Sequence, residues 1–465
     1  MDATRTADVV MVGAGVVGLA CALELARAGT SVALLGPRTG DHCGQASRAA
    51  GAMLTVFSEV EAAHPPERVK IEVAERVAAR AGYEAWLDQL AEAGGPPVTL
   101  TPGVWVTASV PADRAELAAI AAAAADSGVP GQLHSPDAVP GLQSPSVFEA
   151  LWLPGEAGVD AEALVAAAAA AVLAHPRITW IDADAIALAE NGAAMEVRTS
   201  SGDVVTGDHV VLAAGAQIPA LLRRSRGIEL DAPPVLAGRG VSMILDAGPV
   251  EVTAAVRTPN RGFACGAHLV PRGKGGLYLG ATNRLSTRPD RDRRPSADEI
   301  TTLLHDATCE LNAGLRHAHL RQIRVGYRPF TVDHLPLVGR TAHPAVLLAT
   351  ATYRCGMLLA PRVGTLIQRE IEHPGALTEH PYSPRRPMPH PDLAQLIEAH
   401  RPELVELVCQ PGGQLPPGTA GPLAATLAAA LTHHLDDPAA RRLATTAPVA
   451  EVLPLLFDIA GRRPR

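Results

Sequence analysis

The apolar residues of the first forty positions fall into three blocks separated by glycines. Val9 to Val12 form an uninterrupted apolar run, as expected for a parallel strand that is covered on both faces. The segment from Val16 to Ala28 is predicted to be a helix, and Gly29 is suited to its C-cap. Ser31 to Leu35 then form a second apolar run. Together these blocks predict a strand, a helix and a second strand.

Three glycines between the first strand and the helix form a GxGxxG pattern. Gly13 allows the tight turn, Gly15 lets the backbone approach a pyrophosphate, and Gly18 lets the helix pack closely on the strand. The helix N-terminus would direct its amides at the phosphates. Gly36 stands where an acidic residue is expected to hold the ribose hydroxyls, and Arg38 suggests a 2′-phosphate instead. The pattern predicts a dinucleotide site, and the segment that follows favours a flavin over NADP.

Further along the chain, apolar patterns predict more strands and a helical tail. Strand-rich sequence extends from Ile178 to Val211, broken by turns, and ends in an apolar strand with a small-residue turn. Beyond about residue 375 a proline-rich linker precedes segments with helical periodicity at 393–408, 421–435 and 447–461. This tail could pack on the rest of the protein, mediate homo-oligomerisation or cap an active site.

Composition narrows the classes of protein. The 465 residues are 47% hydrophobic and 19% charged, which is enough for a large core, and the length corresponds to two or three domains. The net charge of −8, without a basic stripe, and 3% aromatic residues argue against nucleic-acid binding. No segment is long and apolar enough to span a bilayer, so no membrane partner is expected.

The cysteines do not indicate disulfides or a metal site. Six of them are scattered along the chain without a CxxC pair, which favours reduced thiols in a cytoplasmic protein. Asp41, His42 and Cys43 resemble a metal cluster only superficially, and no metal is expected.

Four separated motifs carry a family resemblance. They are QASRAAGAML at 45–54, AHLVPRGKGGLYLGAT at 267–282, VGYRPFTVDHLPLVGRT at 325–341 and LLATATYRCGMLLAPRVGTLI at 347–367. In this order they resemble the flavin-dependent amine and amino-acid oxidases of the D-amino-acid oxidase superfamily, and most of all its glycine oxidases. The resemblance covers residues 7–375, and Asp160 matches the N-cap of a long helix in that family.

The resemblance implies a fold and a division into domains. The expected class is α/β, with a Rossmann-like FAD-binding domain, an interleaved antiparallel-sheet substrate domain and a C-terminal helical extension. The FAD-binding domain would comprise residues 1–85, 155–230 and 325–375. The substrate domain would comprise 86–154 and 231–324, and the extension would comprise 376–465.

The resemblance also assigns a non-covalent FAD site. Cys355 replaces an asparagine of the family motif, and cysteines that attach flavin covalently belong to a different motif position, so Cys355 is expected to be an unmodified loop residue. The residues that would contact FAD are Gly13, Gly15, Val16, Val17, Gly18, Pro37, Arg38, Ala46, Ser47, Gly51, Ala52, Met53, Ala185, Gly215, Arg354, Cys355, Gly356, Met357 and Leu358.

Candidate substrate contacts come from the same motifs. A guanidinium fork is the simplest ligand for the carboxylate of an amino acid, and Arg328 and Arg354 fall on substrate-contacting positions of the family. The resemblance favours Arg328, because related enzymes often use the position of Arg354 through its backbone. His268 replaces a tyrosine that touches the carboxylate; it could donate a hydrogen bond, change charge near neutral pH, or be structural. Met53 and Tyr353 are expected to form pocket walls.

The resemblance implies oxidative deamination of a small amino acid or related amine. Hydride would pass from the α-carbon to flavin N5, the imine would hydrolyse, and O2 would reoxidise the flavin to give hydrogen peroxide. No catalytic base is identified, and the departures from the family pattern favour a substrate other than free glycine. A dehydrogenase with another electron acceptor, and a non-catalytic flavoprotein that serves as a binding or assembly subunit, remain alternatives.

Overall fold

A computed structural model describes residues 4–387, except for 39–43, 63, 226, 249, 261–264, 274, 287–288, 290–293 and 332, together with a few residues between 421 and 429. The described strands are β1 (Thr4–Val12), β2 (Val32–Leu35), β3 (Gly44–Gln45), β4 (Met53–Leu54), β5 (Leu100–Ala108), β6 (Gln132–His134), β7 (Glu149–Val159), β8 (Ile178–Ile181), β9 (Ala185–Asn191), β10 (Ala194–Thr199), β11 (Val204–Leu212), β12 (Leu236–Asp246), β13 (Ala255–Arg257), β14 (His268–Arg272), β15 (Gly276–Gly280), β16 (Arg284–Ser286), β17 (His319–Phe330), β18 (Leu337–Arg340) and β19 (Val346–Thr350). The described α-helices are α1 (Val16–Arg27), α2 (Ala46–Ala49), α3 (Pro66–Ala81), α4 (Tyr83–Glu92), α5 (Asp113–Asp126), α6 (Ala161–Ala174), α7 (Ile218–Leu222), α8 (Ala297–Glu310) and α9 (Gly356–Glu372).

The first sheet is built around parallel strands. Its main path is β18–β19–β11–β1–β2–β8, and the hairpin β9–β10 joins it through β11. Strand β1 pairs in parallel with both β2 and β11, while β2 pairs in parallel with β8. Helix α1 connects β1 to β2 and packs against α6 and α9, so this part of the sheet is covered by helices. The predicted strand–helix–strand unit is confirmed.

The second sheet is mainly antiparallel. Its path is β3–β17–β12–β15–β14–β13–β5–β7–β4, with β16 and β6 as side branches on β12 and β7. The predicted hairpin is present, because β14 pairs antiparallel with β15, which follows it in the chain. The expected α/β class, with a Rossmann-like part and an antiparallel sheet, is confirmed. Two of the predicted domain limits, at 155 and 325, fall inside β7 and β17, and the division into domains stays a prediction.

Asp160 caps helix α6 and links it to the second sheet. Its carboxylate accepts hydrogen bonds from the backbone amides of Glu162 and Ala163, as predicted. The same carboxylate accepts two hydrogen bonds from the Arg272 guanidinium, which belongs to β14. One short side chain therefore both begins helix α6 and ties it to the second sheet.

The start of the proline-rich segment packs on the rest of the protein. Tyr382 is buried, and its carbonyl accepts a hydrogen bond of 2.8 Å from the Val338 amide of β18. Arg386 forms an ion pair with Asp333. The helices predicted at 393–408 and 447–461 lie outside the described residues, as does most of the one at 421–435. In the part of the chain that the structure describes, no helix has both the length and the apolar character needed to cross a membrane.

Candidate active site

A cavity of about 580 Å³ lies where the carboxyl ends of β1, β2, β11 and β19 meet the second sheet. Crevices at the carboxyl ends of parallel strands are the usual ligand sites of such sheets. The cavity brings together these predicted site residues: Gly13, Gly15, Val16, Val17, Pro37, Ala46, Ser47, Ala185, Gly215, Arg328, Tyr353, Arg354, Gly356 and Met357.

The glycine turn packs so closely on neighbouring backbone that side chains do not fit at Gly13 or Gly18. Gly13 has φ +116°, and a Cβ there would lie 2.6 Å from the Ala213 carbonyl carbon. Gly18 lies outside the cavity lining, next to the Gly13 carbonyl oxygen, and has no room for a side chain. This agrees with its predicted role of letting the helix pack closely on the strand. The first turn of α1, which is fully described, contains no acidic residue. This arrangement fits the pyrophosphate of a dinucleotide.

The adenosine end of the cavity differs from the usual ribose arrangement. A Cβ at Gly36 would lie 2.8 Å from the Ala14 backbone nitrogen, so an acidic side chain does not fit there. The Arg38 guanidinium is paired with Asp182 (3.6 Å) and lies outside the cavity lining. This position does not favour Arg38 as a ligand of a 2′-phosphate. Asp184 and Ser200 line this end instead. Sequence reasoning missed them, although Asp184 directly precedes the predicted contact Ala185.

The predicted flavin loop packs against the second sheet. A Cβ at Gly51 would lie 2.7 Å from Tyr278 Cε1 and 2.8 Å from His268 Nε2. Ala52 has φ +52°, and Met53 begins β4, which pairs with β7. These three loop residues lie outside the cavity lining. They form the boundary between the cavity and the antiparallel sheet.

His268 is buried behind this loop. Its ring stacks on Tyr278 with a centroid distance of 5.6 Å, and its Nδ1 lies 3.2 Å from the Gly266 carbonyl oxygen. Burial, helped by the nearby charge of Arg257, lowers the pKa of His268 to about 3. The expectation that it changes charge near neutral pH is therefore wrong. The side chain lies outside the cavity lining, which favours its structural alternative.

Arg328 lines the cavity and is held by neutral groups. Its Nη1 donates to the Thr282 carbonyl oxygen (3.0 Å) and to Asn283 Oδ1 (3.1 Å). The side chain lies across Gly240, where a Cβ would come within 2.7 Å of the guanidinium carbon. Among the described residues it has no carboxylate partner. The guanidinium is thus held in place by neutral groups and keeps its charge for a ligand.

Asn283 connects Arg328 with Tyr353, and sequence reasoning missed it. Its Nδ2 donates to the Tyr353 hydroxyl at 2.9 Å, while its Oδ1 accepts from Arg328. Asn283 directly follows the GAT end of a recognised motif, so its position was the only available signal. Tyr353 has φ +48° in the loop between β19 and α9, a conformation that non-glycine residues seldom adopt. The loop is therefore fixed by its surroundings in a strained form, as is frequent at functional sites.

Arg354 lines the same cavity but is already paired. Its Nη1 lies 2.9 Å from Glu61 Oε1 and 3.5 Å from Glu59 Oε2. Its guanidinium carbon stands 4.6 Å from the centroid of the Tyr353 ring. The sequence favoured Arg328 over Arg354 as a substrate contact, but it did not indicate that their electrostatic environments are opposite. Glu59 and Glu61 were not singled out because they lie about 290 residues earlier in the chain.

Cys355 and Leu358 lie at the start of α9 and outside the cavity lining. Both are buried, and burial raises the pKa of the Cys355 thiol to about 11. A thiol with so high a pKa is a poor nucleophile at neutral pH. In the described part of the chain no group of acidic, histidine and cysteine side chains could hold a metal, and Asp41, His42 and Cys43 fall outside it.

Comparisons with known proteins identify the family of the chain. The family model described as DAO, FAD dependent oxidoreductase, matches residues 8–369. A glycine oxidase of Geobacillus kaustophilus is 28% identical over 393 residues, which cover 81% of this chain and 98% of the relative. A bifunctional ThiO/ThiG protein of a Nostoc strain is 27% identical over 387 residues, which cover 78% of this chain and 52% of that protein.

Solved structures show the same fold. The crystal structure of the Geobacillus glycine oxidase superposes with a TM-score of 0.71 at 27% identity, covering 83% of this chain and all of that one. An iminodiacetate oxidase of a Chelativorans strain superposes with a TM-score of 0.68 at 22% identity, covering 81% and 98%. The family match spans most of the chain and its cofactor is FAD. The chain therefore belongs to the DAO family of FAD-dependent oxidoreductases.

Proposed function

We propose that this protein oxidises the α-carbon–nitrogen bond of an amino acid whose carboxylate is held by Arg328. The observation that carries the proposal is a guanidinium in the cavity that is positioned by Thr282 and Asn283 and has no carboxylate partner among the described residues. A charged group in such a place favours an anionic ligand, and the planar fork matches a carboxylate.

The chain's own residues would bind and orient the substrate. Arg328 fixes the carboxylate, Asn283 fixes both Arg328 and the Tyr353 hydroxyl, and Tyr353 forms the wall next to them. FAD, when bound, accepts the hydride that leaves the α-carbon. The substrate thereby loses two electrons and two protons to become an imine, which water converts into a 2-oxo acid and ammonia. We propose O2 as the final acceptor, which would yield hydrogen peroxide.

The residues that would hold FAD are those that surround the cavity. The glycine turn before α1 suits the pyrophosphate, Ala185 with Asp184 suits the adenosine, and the loop before α9 suits the ring. We propose that the attachment is non-covalent and that free glycine is not the preferred substrate. The second point rests on departures from the family pattern, which are the missing ribose acid at Gly36, His268 for a tyrosine, Cys355 for an asparagine and the C-terminal tail.

The proposal is tested by mixing the FAD-loaded protein anaerobically with glycine, sarcosine, proline and D-amino acids. Loss of the oxidised-flavin absorbance is the expected result. The nitrogen product should be ammonia from glycine or a D-amino acid and methylamine from sarcosine, whereas the cyclic imine from proline keeps its nitrogen. Admission of O2 should then restore the absorbance and produce hydrogen peroxide. If the absorbance returns only with an artificial acceptor, the protein is a dehydrogenase. If no amino acid reduces the flavin, the proposed substrate class is wrong.

Two variants separate the role of Arg328 from a general loss of charge. Arg328→Met should lower kcat/KM on the order of 100-fold or more, because the carboxylate loses its charged partner. Arg321→Met is the matched control, since Arg321 lies on the same strand, β17, but is 43% exposed and paired with Asp246. It should leave kcat/KM unchanged. Equal effects of the two substitutions would contradict the assignment of Arg328.

A further inference from the structure

A buried network of charges surrounds Arg354. Its members are Glu59, Glu61, Arg257, Asn260 and Arg354. They come from the loop after β4, from β13 with the residues after it, and from the loop before α9. Of these five side chains two are positively and two are negatively charged, and Glu61 Oε2 also lies 3.4 Å from His64 Nε2.

Hydrogen bonds connect the members of the network. Glu59 Oε1 accepts from Arg257 at 2.5 Å, and its Oε2 accepts from Asn260 Nδ2 at 3.0 Å. The same Asn260 nitrogen donates to Glu61 Oε1 at 3.2 Å, which also accepts from Arg354 at 2.9 Å. The Arg257 side chain is fully buried, and those of Glu59 and Arg354 are 6% and 8% exposed. Burial would raise the pKa of Glu59, but Arg257 and Arg354 outweigh it and lower this pKa to about 2.

Arg354 and Arg328 flank Tyr353 in one cavity. Arg354 stands over the ring of Tyr353, while Arg328 reaches the hydroxyl of Tyr353 through Asn283. Two unpaired guanidinium groups in these positions would suit a substrate with two carboxylates. Here one of them is neutralised by Glu59 and Glu61, and the other is not.

We propose that Glu61, together with Glu59, sets the substrate class by neutralising Arg354, so that the site accepts amino acids with one carboxylate and rejects those with a second. This rests on the proposed function, because it assigns Arg328 to the α-carboxylate. A second carboxylate near Arg354 would meet the negative charges of Glu61 and Glu59 instead of an available cation. Selectivity by such repulsion is a common device in binding sites.

The first test compares matched substrates. Sarcosine and iminodiacetate differ by one carboxylate, as do D-alanine and D-aspartate. The wild-type protein should reduce its flavin with the monocarboxylate member of a pair more efficiently than with the dicarboxylate, by on the order of tenfold or more in kcat/KM. Equal or better use of the dicarboxylate by the wild-type protein would overturn the proposal.

The second test changes the network. Glu61→Gln keeps an oxygen that can accept hydrogen bonds from Arg354 and Asn260 but removes the negative charge, so it should reduce the discrimination against dicarboxylates. The matched control is Glu67→Gln, which removes a negative charge from a side chain that is 82% exposed and paired with Lys70. The control should keep the wild-type discrimination. No difference between the two variants would overturn the role of Glu61.

A binding measurement keeps this proposal separable from the proposed function. Acetate and malonate cannot be oxidised as amines, so their binding is read from the change in the visible spectrum of the bound flavin. Acetate should bind the wild-type protein more tightly than malonate, and Glu61→Gln should narrow or reverse this order. If no amino acid reduces the flavin but this order holds, only the proposed reaction fails. Tighter binding of malonate by the wild-type protein, or binding of neither anion, would overturn the proposed carboxylate selectivity.

Discussion

Glu156 fixes the loop that carries Glu59 and Glu61. Its Oε1 accepts hydrogen bonds from the backbone amides of Val56, Phe57 and Ser58 at 2.8, 2.6 and 2.8 Å. Its Oε2 accepts from the Ser58 hydroxyl at 2.7 Å, and the residue is only 1% exposed. One side chain therefore satisfies three buried backbone donors in a loop that has no regular secondary structure to satisfy them.

Replacing Glu156 with alanine should strongly destabilise the protein. Each buried amide left without an acceptor costs about 1–3 kcal/mol, which gives about 3–9 kcal/mol for three. Water that enters the vacated space would accept some of these hydrogen bonds. We therefore expect the free energy of unfolding to fall by about 3–5 kcal/mol, which is the usual loss when one member of a buried charged network is removed. Glu156→Gln keeps an acceptor oxygen and should cost only about 1 kcal/mol.

The assay is equilibrium unfolding in urea, followed by tryptophan fluorescence at a fixed excess of FAD, because bound FAD itself stabilises the folded state. Glu67→Ala is the control; it removes a glutamate that is 82% exposed and should change the free energy of unfolding by less than about 0.5 kcal/mol. A Glu156→Ala protein within about 1 kcal/mol of wild type would refute the reasoning. So would a glutamine variant as unstable as the alanine variant.

Three further predictions concern the cofactor site and its surroundings. Gly13→Ala should abolish stoichiometric FAD binding, because its Cβ would lie 2.6 Å from the Ala213 backbone; the measurement is the flavin content of the purified protein. Gly29→Ala is the control and should retain FAD, because Gly29 also has a positive φ but no atom lies within 4 Å of its Cβ position. Below pH 6.5 the wild-type protein should lose stability relative to His268→Gln, since the unfolded chain gains a proton that the folded protein accepts only near pH 3. The pH-dependent part of this difference should reach about 2 kcal/mol at pH 5 and be zero above pH 7. A difference that does not change with pH would contradict the lowered pKa of His268. Acid precipitation should release all flavin from the wild-type protein, because the buried thiol of Cys355 is a poor nucleophile at neutral pH. Flavin that stays with the precipitated protein would show a covalent bond and contradict this prediction.

The sequence predicted those parts of the site that depend on short segments. The turn at Gly13, Gly15 and Gly18 is local, because a strand, a turn and a helix follow one another within about twenty residues. The cap by Asp160 is local in the same sense. In these cases steric limits on the backbone and apolar periodicity decide the structure.

The electrostatic state of the two arginines depends on distant segments and could not be predicted. Glu61 meets Arg354 across 293 positions of the chain, and its loop is fixed by Glu156 from β7. Nothing in the motif around Arg354 indicates which carboxylates will face it. The neutral state of His268 likewise results from burial behind Gly51, which only the assembled sheet shows.

The most direct measurement compares amino acids with the amines that remain when their carboxylate is removed. Sarcosine is paired with dimethylamine, proline with pyrrolidine and D-alanine with ethylamine, and each is mixed anaerobically with the FAD-loaded protein. We predict that at least one amino acid reduces the flavin far faster than its amine, and that Arg328→Met removes this difference. Equal reduction by the amine, or an undiminished preference in the Arg328→Met protein, would contradict the claim that Arg328 selects a carboxylate.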